Sequence, residues 1–334
     1  MTTPEPVVQT VSCHLVMPNQ QHLYDHIKQN APFAKEMVAP DTHKGQTVNI
    51  CGAGPSLTPY LSRRWGLWRK RLPPASQTWG CNSALQYLYD HGAKPTHGFV
   101  IDQGEEMLRP EEFGRTHDVV YYVSSSVHPR LVQHLLAEGR CLKWFHSYLG
   151  IEDPKGWDAK AVGKSYEMAL YTDARLYQSG VQVGHGLNSV QRAVCLALFM
   201  GFSKIRVYGA DCACAPDGPP MPDYFSPEYR KWLGKLTAYA DGRTALDAYG
   251  PEGTMAEGVI DGRRWHTRAD MVISARHMLE LVQTFPGRIE LMGDTFPNAI
   301  KDKDAEFMSR MPALTQVGVV SGFGAARPPE SEAA

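Results

Sequence analysis

Short runs of β-forming residues alternate with helical patterns along most of this chain, and that alternation limits the fold more than any other feature. Residues 46–305 contain seven strand candidates: TVNIC, QTWGC, THGFVID, VVYYVSSS, CLKWFHSY, KIRVYGAD and RIELMGD. A chain that crosses over through a helix re-enters the sheet in the same direction, so such strands run parallel. The pattern predicts an α/β, Rossmann-like domain: a mostly parallel sheet covered by helices on both faces.

Three segments fall outside this alternation. Residues 1–45 are a predicted N-terminal extension with one helix over residues 20–35, and residues 306–334 are a C-terminal tail, partly disordered, without an aromatic anchor after Phe323. Residues 212–265 are crowded with Pro, Gly, Asp and aromatic residues and are too long for an ordinary connection. We interpret them as a lid-like insertion near the active site; a passive surface excursion is an equal alternative.

The composition excludes partners that would bind through a large net charge of the whole protein. The 34 basic and 35 acidic residues nearly cancel, so nucleic acid or an anionic membrane would need a local patch. One candidate patch is SRRWGLWRKRLPP, residues 62–74, which interleaves basic residues with Trp65 and Trp68. Such a stripe can bind diphosphate or a polyanionic acceptor, and the commoner alternative is a solvated helix face with tryptophans packed inward.

The cysteines and the N-terminal residues predict a cytoplasmic protein. The seven cysteines are an odd set, and several lie in apolar runs, where a thiol behaves as a small hydrophobe. Cys212 and Cys214 form a C-x-C pair, but no second pair at zinc-finger spacing accompanies it. The start lacks a signal-peptide pattern, and no window approaches the ~18 apolar residues of a membrane span.

The first strand candidate runs into a glycine-rich turn, GAGPS. In an open parallel sheet, ligands bind outside the carboxyl ends of the strands, where Gly52 and Gly54 allow close backbone approach. Pro55 suits a first helical turn, and Ser56 can cap a helix or donate to a ligand. The motif lacks the third glycine of the dinucleotide fingerprint, so both a nucleotide site and a tight turn with a cap stay open.

Polar residues follow further strands at the same predicted edge. Asn82 comes directly after QTWGC and either caps the next helix or contacts a base or sugar edge. Asp102 ends HGFVID and is either a ligand or metal contact or a capping residue. Asn188 or Ser189 stands at the start of an apolar helix that ends at Gly201, and KIRVYG delivers Asp211 to the edge.

Three of these stretches together resemble a known family. CGAGPSL, GCNSALQYLYDHGAKPTHGFVID and GHGLNSVQRAVCLALFMGFSKIRVYGAD look like the successive motifs of a group that holds bacterial motility-accessory (flagellin-modifying) glycosyltransferases and archaeal 6-hydroxymethylpterin pyrophosphokinase-like proteins. They are similar, more distantly, to bacterial sialyltransferases that use a CMP-activated sugar. The resemblance runs over residues 48–294.

The resemblance implies roles for individual residues. Gly52, Gly54, Ser56 and Asn82 would hold the nucleotide, and Asn188 or Ser189 would lie near its phosphate or ribose. These six positions, with Pro55, are the candidate ligand-binding residues.

The resemblance also selects His266, in RRWHTRADMV, because it matches the histidine that acts as general base in the sialyltransferases. A histidine that titrates near neutrality can remove the proton of an acceptor hydroxyl. The alternative is that His266 and Trp265 only seat the following helix.

The chain also departs from the family pattern. Leu187, Val190 and Gln191 stand where the helix-start motif has small residues. Tyr224 and Tyr229 are only loose counterparts of the tyrosines that the sialyltransferases direct at the leaving phosphate.

Three functions are compatible with these residues. The leading hypothesis is a glycosyltransferase that moves a sugar from a nucleotide-activated donor to a hydroxyl acceptor on a protein, glycan or nucleic acid. His266 would be the base, with Asp102 and Asp211 as further catalytic candidates. The second is a pyrophosphokinase acting on a pterin-like hydroxymethyl group, in which Asp102 and Asp211 would hold Mg²⁺. The third is a non-catalytic nucleotide-binding or scaffold protein.

Overall fold

The computed structural model describes residues 20–61, 72–103, 117–147, 182–183, 188–213, 255–260 and 263–301. Its strands are β1 (Thr47–Cys51), β2 (Gln77–Cys81), β3 (His97–Val100), β4 (Val120–Ser124), β5 (Cys141–Ser147), β6 (Gln182–Val183), β7 (Lys204–Tyr208), β8 (Met255–Ile260), β9 (Arg263–Arg268) and β10 (Ile289–Leu291). Strands β1 to β7 and β10 form one sheet in which every pairing is parallel. All seven strand candidates belong to this sheet.

The helices are α1 (Gln20–Asn30), α2 (Thr58–Leu61), α3 (Ala84–Asp90), α4 (Pro129–Ala137), α5 (Ser189–Phe199), α6 (Ala269–Thr284) and α7 (Phe296–Lys301), with single 3₁₀ turns at Ala31–Phe33 and Pro55–Leu57. Helix α5 shows how the sequence sets its ends. The Asn188 side chain accepts a hydrogen bond from the Gln191 N–H at 2.9 Å, and Gly201 follows the helix with a φ of +85°. The predicted helix and its terminal glycine are confirmed.

Both faces of the sheet are buried, because alternate residues of each strand point to opposite sides. On β4, Tyr122 packs in one hydrophobic cluster with Val194 of α5, whereas Tyr121 packs in a second cluster with Leu131 of α4. The prediction of an α/β, Rossmann-like sheet with helices on both faces is therefore confirmed.

The predicted N-terminal extension contributes to this core within its described part. Ile27 of α1 is buried in the cluster that contains α4. The Asn30 side-chain N–H₂ donates to the backbone carbonyls of Ser125 at 3.0 Å and Val127 at 2.8 Å, which fixes the loop after β4. Helix α1 thus covers the sheet like the helices that follow it.

The predicted lid-like insertion is described only at its two ends. Strands β8 and β9 pair antiparallel as a hairpin apart from the main sheet. Ile260 at the end of β8 packs on a cluster that includes Ala275 and Phe296, so the hairpin is anchored on α6 and α7. Residues 214–254, including Tyr224 and Tyr229, lie outside the described residues, as do the basic stripe over residues 62–71 and the C-terminal tail.

The strand order reverses beside β1. The order is β10-β7-β1-β2-β3-β4-β5-β6, so the chain runs outward from β1 to β6 and then returns to the other side of β1. Connections after β1 and β7 therefore leave in opposite directions. In open parallel sheets, this reversal opens a ligand crevice at the carboxyl ends of the two strands.

Two glycine turns touch at this reversal. The Gly54 N–H donates to the Gly209 carbonyl at 3.0 Å, and the Gly52 N–H donates to the Tyr208 carbonyl at 2.8 Å. A Cβ added to Gly52 would lie 2.6 Å from the Gly209 oxygen, and one added to Gly54 would overlap Oδ2 of Asp211. The sequence suggested that these glycines make room for a ligand, but the described contacts show that they make room for the neighbouring turn.

We predict that Gly54→Ala destabilises the fold by about 3 kcal/mol, measured by urea unfolding. The φ of −68° and ψ of 151° at Gly54 suit alanine, so the cost is steric. Gly139→Ala is the matched control: its φ is +72° and no atom lies within 4 Å of the added Cβ, so only the backbone cost of about 1 kcal/mol remains. Equal costs for the two variants would contradict the contact between the turns.

Candidate functional site

The ends of β1, β7 and β10 meet at a buried carboxylate. Oδ2 of Asp211, which follows β7, accepts hydrogen bonds from the Ser56 N–H at 3.2 Å and the Ser56 hydroxyl at 2.8 Å. The Asp211 carbonyl accepts a bond from the Phe296 N–H at 3.1 Å, and Gly293 after β10 packs on Ser56. Asp211 is only 5% exposed. Its carboxylate binds the turn after β1, and its main-chain carbonyl binds the connection after β10, so one residue joins the three strand ends.

The pKa of the Asp211 carboxyl is raised to about 6, mainly by burial and also by the nearby Asp294 carboxylate. The two hydrogen bonds from Ser56 act in the opposite direction, because they favour the charged form. Asp211 is therefore a carboxylate at neutral pH that takes up a proton in mildly acidic solution.

Most of the groups that the sequence predicted as contacts of a phosphate already have hydrogen-bond partners within the protein. The Ser56 N–H and hydroxyl both bind Asp211, and the Gly54 N–H binds the Gly209 carbonyl. Pro55 begins the 3₁₀ turn and has no N–H to offer. The Asn188 oxygen caps α5. The sequence placed Asn188 at the start of this helix as a site for an anion, and in this structure its oxygen caps the helix.

Asn82 differs from these residues. It has a φ of +50°, a strained value for a residue other than glycine, and is 7% exposed. Its Nδ2 donates to Oδ2 of Asp102 at 2.5 Å rather than capping α3, whose N-cap residue is Ser83. Its Oδ1 is buried and has no hydrogen-bond partner among the described residues.

The hydrogen bond to Asp102 determines which atom of the Asn82 amide is left without a partner among the described residues. A carboxylate only accepts hydrogen bonds, so the amide must direct its N–H₂ to Asp102 and leave its carbonyl oxygen. A buried acceptor without a partner costs about 1–3 kcal/mol, and native proteins keep few of them. At the carboxyl edge of the sheet, this oxygen can accept a hydrogen bond from a ligand that donates an N–H or O–H.

Sequence analysis missed two charged residues at this edge. Arg192 lies half-buried in the first turn of α5; burial lowers the pKa of its guanidinium and the Asp102 carboxylate raises it. Asp294 follows β10 and acts on Asp211. Both had a signal: Arg192 is a cation at the start of an apolar helix, and Asp294 ends RIELMGD just as Asp102 and Asp211 end their strands.

Helix α5 connects these two groups of residues. A methyl carbon of Val190 lies 2.6 Å from the position that a Cβ of Gly52 would take, so the first turn of α5 lies against the turn after β1. Arg192, two residues further along, interacts with Asp102 after β3. The structure therefore brings Ser56, Asn82 and Asn188 to the same carboxyl edge of the sheet.

The predicted metal ligands have separate partners. Asp102 binds Asn82 and interacts with Arg192, whereas Asp211 binds Ser56 and interacts with Asp294. Within the described ranges, no three His, Cys, Asp or Glu side chains form a group that can hold a metal ion. The role of Asp102 and Asp211 as Mg²⁺ ligands stays a prediction, and we assign no catalytic step to a metal.

His266 lies inside β9 rather than at a helix start. Its backbone is paired with Glu257 of β8, and α6 begins three residues later, at Ala269. Its side chain is outside the described residues, so its role as general base stays a prediction. Cys212 is buried in an apolar cluster with a φ of +52°, and its C-x-C partner Cys214 lies outside the described residues.

None of the described helices is both long and apolar enough to cross a bilayer.

Comparison with solved structures finds glycosyltransferases at low identity. The MAf glycosyltransferase from Magnetospirillum magneticum AMB-1 is 12% identical with a TM-score of 0.45; the match covers 86% of this chain and 42% of that one. A point variant of the sialyltransferase CST-II in complex with CMP is 12% identical with a TM-score of 0.31, covering 74% of this chain and 81% of that one. Our chain thus spans less than half the length of the first protein.

Comparison of the sequence gives a more direct result. No curated protein sequence matches significantly. A family model described as "6-hydroxymethylpterin diphosphokinase MptE-like" matches residues 21–217, from α1 to just beyond Asp211. The family resemblance predicted from the motifs is confirmed. Since the match covers more than half of the 334 residues, the chain belongs to this MptE-like family.

Proposed function

We propose that this protein is a transferase that binds a nucleotide-activated sugar at the carboxyl edge of its sheet and passes the sugar to a hydroxyl acceptor. The observation that carries the donor site is Asn82, strained and buried with an acceptor oxygen that no described residue satisfies. A nucleoside supplies such a donor, as the amine of a base or the hydroxyl of a ribose.

The phosphate of the donor belongs at the first turn of α5. The start of a helix carries partial positive charge, and the Arg192 guanidinium adds a full charge there. Asn188 and Ser189 begin this turn, which supports their predicted place near the phosphate or ribose. In this arrangement Arg192 stabilises the negative charge that develops on the leaving phosphate.

The transfer step needs a base for the acceptor. His266 takes the proton of the acceptor hydroxyl while that oxygen forms a bond to the anomeric carbon of the sugar. The bond from the anomeric carbon to the phosphate oxygen breaks, and its electron pair leaves with the nucleotide. An in-line attack of this kind inverts the anomeric configuration. The support for His266 is the motif RRWHTRADMV and its resemblance to the sialyltransferases.

The family description favours a second candidate, diphosphoryl transfer. A hydroxymethyl oxygen would attack the β-phosphorus of ATP, and AMP would leave. That reaction is recognised by AMP as product and by strict Mg²⁺ dependence, whereas sugar transfer releases the nucleotide of the donor. Binding of a nucleotide without turnover on any acceptor would indicate the third possibility, a non-catalytic binding protein.

We predict that a nucleotide-sugar raises the melting temperature of the wild-type protein and that Asn82→Ala abolishes the shift. CMP-, UDP-, GDP- and dTDP-sugars and ATP are screened by thermal shift, with and without Mg²⁺. A ligand at 100 times its Kd stabilises the native state by about 2.7 kcal/mol, which is readily detected.

Asn49→Ala is the matched control, because Asn49 is also buried but lies within β1. It is expected to lower the melting temperature of the free protein and keep the ligand-induced shift. A full shift in Asn82→Ala would contradict the placement of the ligand, and the absence of any shift in the wild-type protein would contradict the proposed function.

For the transfer step we predict that His266→Ala lowers the single-turnover rate by about 10²–10⁴ while the donor Kd stays within a factor of two to three. Thr267→Ala, in the same strand, is the control for damage to β9 and should retain the wild-type rate. A wild-type rate in His266→Ala would remove the assignment of the base.

A further inference from the structure

We infer that Asp211 is a specificity-determining residue that reserves the turn after β1 for an uncharged, hydroxyl-bearing ring of the donor and excludes phosphate from it. The ring is the ribose or the transferred sugar. This inference rests on the proposed function, whose donor carries both chemistries, and it assigns each of them to a different part of the carboxyl edge.

The hydrogen-bond donors at the end of the turn after β1 are already occupied. An anion would bind the turn through the hydrogen-bond donors at its end, and a carboxylate already accepts both donors of Ser56. The Gly54 N–H is held by the Gly209 carbonyl. A phosphate would have to displace Asp211 from Ser56, whereas a hydroxyl can add to the carboxylate as a further donor.

Contacts of both its side chain and its main chain hold Asp211 in position. Its Oδ2 lies where a Cβ of Gly54 would be, and its backbone carbonyl accepts the bond from the Phe296 N–H. Its side chain and main chain are therefore held by different strand connections. A ligand must accommodate the carboxylate in this position.

The charges around Asp211 disfavour a phosphate at this turn. Ser56 faces Asp211 from the turn after β1, and Asp294 acts on it as a second carboxylate from the end of β10. A phosphate at this point would face the buried Asp211 carboxylate, where repulsion is poorly screened, and the exposed Asp294 carboxylate as a second negative group. Arg192, a cation at this edge, interacts instead with Asp102. Charge thus directs the phosphate toward α5 and the hydroxyl-bearing ring toward Asp211.

The test measures the Kd of the nucleotide-sugar that shifts the melting temperature most, at pH 5.5 and pH 7.5, in the wild-type protein and in Asp211→Asn. The phosphodiester of such a ligand does not titrate in this interval. Because the pKa of Asp211 is about 6, the wild-type affinity should fall about threefold on going to pH 5.5.

In Asp211→Asn the pH effect should vanish, and the affinity at pH 7.5 should be about tenfold weaker, since a neutral acceptor bonds hydroxyls less strongly than a carboxylate. Asp118→Asn changes a fully exposed carboxylate and is expected to leave both values unchanged. Ser56→Ala removes a hydrogen bond that lowers the pKa of Asp211, so the midpoint of the pH effect should move to higher pH even if Asp211→Asn folds poorly.

A further measurement identifies whether the ribose or the transferred sugar binds Asp211. The methyl phosphodiester of the same nucleoside carries the ribose but no transferred sugar. If it keeps the pH effect, the ribose binds Asp211; if it loses the effect, the transferred sugar does.

The other outcomes overturn the inference. Tighter binding at pH 5.5 that disappears in Asp211→Asn would place the phosphate at this turn. An affinity that responds to neither pH nor Asp211→Asn would remove any role for Asp211, while donor binding itself would stand. If no nucleotide-sugar binds the wild-type protein at either pH, the proposed function fails together with the inference.

Discussion

The contact between the turns after β1 and β7 determines the geometry of the whole carboxyl edge. Gly52 and Gly54 allow the two turns to approach within hydrogen-bond distance, and the carboxylate of Asp211 closes the gap by binding Ser56. The connection after β10 joins the same point through Phe296. Because Asp211 binds the other two connections through its side chain and its main-chain carbonyl, the positions of the three connections are fixed relative to one another.

The residues at this edge differ in how far the protein satisfies their hydrogen-bonding groups. Ser56 and Asn188 bind their neighbours and therefore stabilise the turns that shape the crevice. Asn82 keeps an acceptor oxygen without a partner among the described residues, held in place by Asp102. Arg192 interacts with Asp102. We propose that this side of the crevice binds the nucleotide through Asn82 and Arg192.

The sequence predicted the sheet well and the contacts at its edge less well. Periodicity is a local property, so the seven strand candidates and the cap of α5 were within its reach. The roles of Gly54 and Ser56 depend on Asp211, which is 155 residues away from Ser56. No local pattern distinguishes a glycine that admits a ligand from one that admits another turn. The hairpin of β8 and β9 was missed because its residues lie in and next to a segment dominated by loop-forming composition.

Hydrogen exchange of the backbone amides, with and without a saturating nucleotide-sugar, tests the central claim most directly. The account predicts slower exchange in peptides that cover the turn after β2 at Asn82 and the first turn of α5 at Arg192, because the ligand lies between them. Peptides that cover α1 and the amino ends of β4 and β5 should exchange unchanged. Protection confined to those peptides, with none at Asn82 or Arg192, would contradict a donor site at the carboxyl edge of the sheet.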